Sequence, residues 1–424
     1  MARALSELAQ VNPKVGLPAD AHVALPVSFI PMSDVSESGA WTGNQVRLLA
    51  DVRNGFTVFA DGDVLVAKIT PCFENGKGAH VLGLTNGVGF GSTEFHVLRA
   101  RNGVSARYLH HVVHGTKFRT EAEAFMTGSA GQKRVPREAF DRFQVPDLSL
   151  PEQAKIAEVL DTLDTTLRQT EAIIEKLKQV KQGLLHDLLT RGIDANGELR
   201  LPQNQAPHLY KDSSLGWIPA EWTAASIDDA CSEVVDCPHS TPSFLPAGVL
   251  VARTMHIKAG VFLERLASRV SEAEYGERIA RLRPEPGDVV FTREAPVGEA
   301  FVIPVGMRVC LGKRVMLLRP RPAKARGQFL LAQIYSGAVA DRIASLTAGT
   351  TNPHLNVAEV RQFLLPLPPV AEQAVIVQQL AGLDGRMAVE REARDKLLTM
   401  KSGLMNDLLT GRVRVTPLLV PAVP

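Results

Sequence analysis

Cysteine is scarce. Four in 424 residues are too few for a disulfide scaffold and suit a reducing compartment. No run of about 18 apolar residues occurs, so no segment is expected to span a membrane. The opening MARALSELAQ lacks the basic-then-apolar pattern of an export signal, and the expected location is cytoplasmic. Neither sign of charge dominates. With 47 Lys and Arg against 45 Asp and Glu, the net charge is +2, and a polyanionic partner has to be met by local clusters. No G-x-x-x-x-G-K-[ST] phosphate loop is present, so ATP hydrolysis is not expected of this chain. What remains is ordinary for folded proteins: 45% hydrophobic, 22% charged, and long enough for two or three domains of roughly 150 residues.

Self-similarity is the strongest positive signal. At an offset of 220, LPEQAKIAEVLDTLD (150–164) falls on VAEQAVIVQQLAGLD (370–384), and KQGLLHDLLT (181–190) on KSGLMNDLLT (401–410). From Phe143 to Thr190, 18 of 48 positions match their counterparts, where chance supplies about three. HVLRA (96–100) lies over MLLRP (316–320), and with five residues of slippage GDVLVAKI (62–69) matches GDVVFTRE (287–294). The chain is a tandem duplication.

The front of each copy carries short strand-like runs, DVLVAKI and FHVLRA, then DVVFT and RVMLLRP, separated by turn residues. The rear of each copy reads as one long helix. Ile156, Leu160, Leu163, Leu167, Ile174, Leu177, Leu184 and Leu188 recur at spacings of three, four or seven, and the second copy keeps Ile376, Leu380, Leu383, Met387, Leu397, Leu404 and Leu408. Each helix, at about 38 residues, spans roughly 57 Å. Either the two stripes bury each other or each helix packs on its own globular part. Arg394 replaces Ile174 in the second seam and calls for looser packing or an acidic neighbour. A Pro-, Gln- and Ser-containing connector ends in Gly216-Trp217-Ile218-Pro219 and Trp222, an expected aromatic clasp on the second globular unit.

The chain resembles the specificity subunit of type I restriction–modification enzymes. The resemblance rests on YKDSSLGWIPAEW (210–222), ITPCFENGKG (69–78), GSTEFHVLR (91–99), LGKRVMLLRP (311–320) and the paired EQ..I...L..LD and K.GL..DLLT helices. It implies an α+β chain with two α/β target-recognition domains, separated by a pair of long antiparallel helices forming a coiled coil, in a pseudo-twofold tandem repeat. The expected boundaries are 1–145 and 223–368 for the recognition domains and 146–195 and 369–412 for the helical regions, with a connector at 196–222 and a tail at 413–424. It also implies a non-catalytic subunit that binds an asymmetric bipartite target in double-stranded DNA. Two adenine-N6 methyltransferase subunits would dock on the helices and restriction subunits would join them. No cofactor is expected in this chain; S-adenosylmethionine and ATP belong to the partners. No GWIPAEW-like segment precedes the first unit, and the sequence does not say how that end is held.

The residues support DNA binding independently. No acid occurs between Glu94 and Glu121, where Arg99, Arg101, Arg107, Lys117 and Arg119 lie, nor between Glu299 and Asp341, where Arg308, Lys313, Arg314, Arg319, Arg321, Lys324 and Arg326 lie. Such clusters neutralise phosphates and release counterions, although a solvated basic face has the same composition. Base edges are read by donors and acceptors on loops. The candidates are Lys68, Glu74, Asn75, Lys77, Ser92, Thr93, Glu94, Gln132, Lys133 and Arg134 in the first copy. In the second they are Arg253, Arg293, Glu294, Lys313, Arg314, Thr350, Thr351, Asn352 and His354. For partner contact or helix pairing they are Glu152, Gln153, Leu184, Asp187, Leu188 and Leu189, with Glu372, Gln373, Leu404, Asp407, Leu408 and Leu409.

Two other readings stay open. A coiled-coil scaffold would use the helices alone. A methyltransferase would use Gly87, Gly89 and Gly91 as a cofactor loop and Thr351-Asn352-Pro353-His354 as a catalytic motif. The glycines lack the helix and acid that such a loop needs, and His354 offers no platform for stacking on a flipped base. Cys231, Cys237 and His239, or His110 and His114, are too loosely spaced for a metal site, so neither a metal nor a catalytic residue is expected.

Overall fold

The computed structural model describes residues 2–17, 24–43, 45–129, 131–351 and 353–419. The chain divides into two units, Met1–Ala172 with Arg391–Pro424, and Ile173–Glu390. Among the described residues no helix is long and apolar enough to cross a membrane.

In the first unit, Val64–Ala67 lies between Phe95–Ala100 and Gly78–His80, with Ala9–Val11 beyond Phe95–Ala100, all antiparallel. Successive strand residues point to opposite faces, and here both faces are covered. Val64, Val66 and Leu98 pack with Tyr108, Leu109, Phe118 and Phe140 from the helices Ala106–His114, Thr116–Glu123 and Glu138–Arg142. Leu65, Val97 and Ala79 pack on the other side with Ile30 and Phe59 of a second sheet. That double burial is why DVLVA is apolar without alternation.

The second sheet runs Gln45–Leu48, Pro26–Ile30, Val88–Gly91, Thr57–Ala60, with its central pair parallel. The glycines weighed as a cofactor loop belong here. A Cβ on Gly89 would stand 2.1 Å from the Phe59 ring. Glycine therefore admits a buried phenyl against a strand, and the cofactor-loop reading loses its basis.

The second unit repeats the plan. Cys231–Asp236, Val315–Pro320, Val289–Arg293 and Val297–Val302 form an antiparallel sheet. Val289, Phe291, Met316 and Leu318 face the helices Gly327–Tyr335 and Ala338–Thr347, while Val290 and Leu317 face Leu250, Ala252 and Leu311 of a three-stranded sheet. In that sheet Val249–Ala252 pairs parallel with Val309–Leu311.

The long helices run Leu150–Thr190 and Val370–Leu409, and each contributes to both units. In the first unit Ile156, Leu160 and Leu163 pack with Leu404, Met405 and Leu408, and Asp164 pairs with Lys401. In the second, Leu184, Leu185 and Leu188 pack with Ile376, Val377 and Leu380, and Lys181 lies 2.5 Å from Asp384. Within each unit, then, the two helices run antiparallel. Both packing alternatives are realised: Ile156 and Leu160 also touch the first unit's own helices, and Ile376 and Leu380 those of the second. Arg394 finds its acid on its own helix, 2.6 Å away at Asp395.

The recurring Glu-Gln pair at the start of each long helix ties it to the globular part. Gln373 is fully buried. Its Oε1 accepts the Arg326 N–H at 2.9 Å, and its Nε2 donates to the carbonyls of Lys324 (2.7 Å) and Pro368 (2.9 Å). Gln153 does the same at the equivalent place, accepting from Ser105 N–H at 3.0 Å and donating to Leu148 at 2.9 Å. Both reach the residue that precedes a helix of the globular part, so each satisfies a helix-end group and anchors the long helix at once.

Glu372 accepts from Arg200 (2.5 Å), from the indole N–H of Trp222 (3.1 Å) and from the Ile193 N–H (2.9 Å). Trp222, not the exposed Trp217, is the aromatic clasp. In the first unit the corresponding cation comes from the tail: Arg414 and Thr416 donate to Glu152, and Val415 is buried beside them. The N-terminus itself is held by pairing of Ala2–Ala4 with Gln144–Pro146, just as Thr223–Ser226 pairs with Leu364–Leu367. Arg200 and Arg414 were not legible as clasp partners. The available signal was an arginine following the end of each long helix.

Gln373→Ala strands a buried N–H and two carbonyls, and is expected to destabilise the second unit by about 2–4 kcal/mol in chemical denaturation; a loss below about 1 kcal/mol would contradict the anchoring role. The Arg414 guanidinium, with the Ser149 N–H, lowers the Glu152 carboxyl from 4.5 to about 2. Because the folded value is depressed, the stabilisation is complete above about pH 4.5 and is lost as pH falls toward 2. Glu152→Gln should lower the melting temperature at neutral pH, with the gap to wild type closing across that window. A gap independent of pH would show that the carboxylate's charge plays no part.

Candidate nucleic-acid interface

Three segments meet at one corner of each unit in the same backbone frame. In the first, Lys68 N–H donates to the Glu94 carbonyl (2.9 Å) and Val135 N–H to the Lys68 carbonyl (2.8 Å). In the second, Arg293 N–H donates to the Arg314 carbonyl (2.9 Å) and Leu355 N–H to the Arg293 carbonyl (3.1 Å). Isolated bridges Ile69–Arg134 and Glu294–His354 complete the match. Lys68 thus corresponds to Arg293, Ile69 to Glu294, Glu94 to Arg314, and Arg134 to His354.

Side chains on this common frame differ. Arg134 grips Glu94 with Nε (3.0 Å) and Nη2 (2.8 Å), and its Nη1 reaches the Gln132 carbonyl at 3.2 Å. The guanidinium holds the Glu94 carboxyl below its usual value. In the second unit Arg314 Nε lies 3.1 Å from Glu294, which also meets His354 Nδ1 at 3.1 Å. The arginines are open to solvent, Arg134 at 44% and Arg314 at 55% of side-chain area. Around them Thr93, Gln132, Lys133, Lys313, Thr350 and Thr351 are exposed, and Lys68 and Ser92 half-buried. Asn352 lies outside the described residues.

Several candidates are committed elsewhere. Arg293 is buried, paired with Asp236 at 2.9 Å and bonded to the Leu355 carbonyl, so it braces the corner and presents nothing to a ligand. Arg119 donates to the Glu74 carbonyl, Lys77 to the Met32 carbonyl (3.2 Å), and Asn75 to Glu37 (2.9 Å); these residues hold the 70–77 loop. Arg253 stacks over Phe244. Asp187 pairs with Arg191, and Asp407 with Arg412. Leu188, Leu189 and Leu408 are buried, and Leu184, Leu404 and Leu409 pack beside them.

The basic windows shrink as well. Arg99 is locked on buried Asp63 at 2.7 Å, and Arg319 on buried Asp288 at 2.8 Å. The repeated G-D-V and L-R motifs are the two halves of this structural pair. Arg107 pairs with Asp161 and Arg308 with Glu272. Among the described residues Arg101, Lys117, Lys313, Arg321, Lys324 and Arg326 have no carboxylate in ion-pair range and are exposed.

The family model for the type I restriction modification DNA specificity domain matches residues 27–179 and 270–399. Over 204 residues the chain is 36% identical to the type I restriction enzyme EcoEI specificity subunit of Escherichia coli, covering 48% of this chain and 34% of that one. Over 190 residues it is 37% identical to the EcoAI specificity subunit of the same organism, covering 43% and 32%. The chain therefore matches about a third of the length of these curated relatives. The S subunit of the type I restriction–modification system of M. genitalium shares the fold, with TM-score 0.56, 13% identity and 96% of each chain covered. The matched segments take in well over half of the residues and fall in both copies of the duplication, and the chain belongs to the type I restriction–modification specificity-subunit family.

Proposed function

We propose that this chain is the DNA-recognition subunit of a type I restriction–modification complex, binding an asymmetric bipartite target in double-stranded DNA. The front parts, 1–145 and 223–368, act as target-recognition domains, each on one half-site. The observation that carries this reading is the shared corner: one backbone frame presents unlike exposed donors and acceptors in the two units. Loops of this kind read base edges, while exposed lysines and arginines nearby engage phosphates without regard to sequence.

The helical regions, 146–195 and 369–412, set the spacing between half-sites and dock two adenine-N6 methyltransferase subunits. Those partners carry S-adenosylmethionine and flip the target base; restriction subunits with ATP complete the complex in the cytoplasm. This chain contributes binding and no chemistry. Glu152, Gln153, Glu372 and Gln373 serve the internal clasp, which leaves the outward faces of the helices to the partners.

Binding of the full chain to random duplexes should weaken with salt at a log–log slope of about −4 to −6, as expected for five or six phosphate contacts. A slope near zero removes the DNA reading and leaves a scaffold. Exchanging residues 1–145 for the front part of another family member should alter one half-site of the methylated sequence; a change in both would defeat the modular picture.

A further inference from the structure

Resting on the DNA reading above, we infer that Arg134 and Arg314 each read a guanine, one in each half-site, with Glu94 and Glu294 as the residues that aim them. The backbone frame of the corner closes through main-chain hydrogen bonds in both units, so the carboxylate–guanidinium pair is not needed to build it. Nor does the pair add much to stability, because half-exposed ion pairs contribute little. Yet both units have one, and they build it differently. In the first unit the acid sits on the loop after Val88–Gly91 and the base on the 127–134 segment. In the second the base takes the loop position and the acid moves to the end of Val289–Arg293. An interaction that survives a change of both its supporting positions is being kept for what it presents outward.

What it presents is an oriented fork. Glu94 holds Arg134 at its Nε side through hydrogen bonds from Nε and Nη2, and Glu294 stands as an ion-pair partner 3.1 Å from Nε of Arg314. A carboxylate on the Nε side leaves the remaining hydrogens of the Nη1–Nη2 edge to a ligand; in Arg134 that ligand would compete with the Gln132 carbonyl, 3.2 Å from Nη1. That edge has the geometry for O6 and N7 of guanine in the major groove, the commonest specific contact that arginine makes. A fork already fixed by a carboxylate loses less rotamer freedom on binding than a free one. Because the two arginines spring from different segments of one frame, their guanines occupy different places within their half-sites. Unlike half-sites follow from a shift of the pair to other positions on a common scaffold.

The test is selection from a randomised duplex pool by the full chain, with binding to the selected duplex and its single-base variants measured afterwards. Wild type should select a bipartite motif containing a guanine in each half. Arg134→Ala should lose discrimination at one guanine by roughly 10- to 100-fold, leaving the other half intact; Arg314→Ala should do the converse. Arg134→Lys retains the charge and guards against a folding defect: it should bind random duplexes as wild type does, yet lose the same guanine preference. Glu94→Gln should weaken that preference less than Arg134→Ala. If wild type selects a bipartite motif that Arg134→Lys and Arg134→Ala leave unchanged, this assignment is overturned while DNA recognition stands. If wild type selects no motif at all, both fall.

Discussion

Each long helix begins with a glutamate and a glutamine that carry the connection between helix and globular part. The glutamine joins main-chain groups of both. The glutamate draws in an arginine from a segment distant in sequence, Arg200 in one unit and Arg414 in the other. Buried polar groups of this kind are costly unless every one is satisfied, so they specify a single geometry more sharply than apolar packing does. The orientation of each globular part on its helix follows from them.

From that anchor the sheet is sandwiched. One face of Val64–Ala67 or Val289–Arg293 rests on helices that touch the long helix, and the other on a second sheet. A strand buried on both faces cannot move without losing contacts on both. Its far end, where Lys68 or Arg293 meets the two neighbouring segments, is correspondingly rigid. Side chains can vary freely at such a corner, because main-chain hydrogen bonds and core packing already define its shape. Rigid support with replaceable outward groups is what a surface needs to change specificity without refolding.

The duplication, the long helices and their apolar seams were legible because they follow from periodicity, which depends only on neighbours along the chain. The Glu-Gln pairs were visible as recurrences, but not their purpose: their partners lie far off in sequence, Arg414 being 262 positions beyond Glu152. The basic windows misled for a related reason. Arg99 and Arg319 looked like phosphate ligands until Asp63 and Asp288, brought beside them by antiparallel pairing, neutralised them. Gly89, weighed against a cofactor loop in the sequence, turns out to make room for the Phe59 ring.

Taken alone, the amino-acid sequence determined that there are two like copies, each with a strand-rich front and a helical rear, and which apolar residues line the helices. Local periodicity and self-comparison suffice for that. Tertiary structure decided which charges remain available, which glutamate holds which arginine, and that Glu94 with Arg134 and Glu294 with Arg314 occupy different positions of one frame. Most of those pairings join remote segments, brought together by strands and helices, and periodicity along the chain does not reveal them.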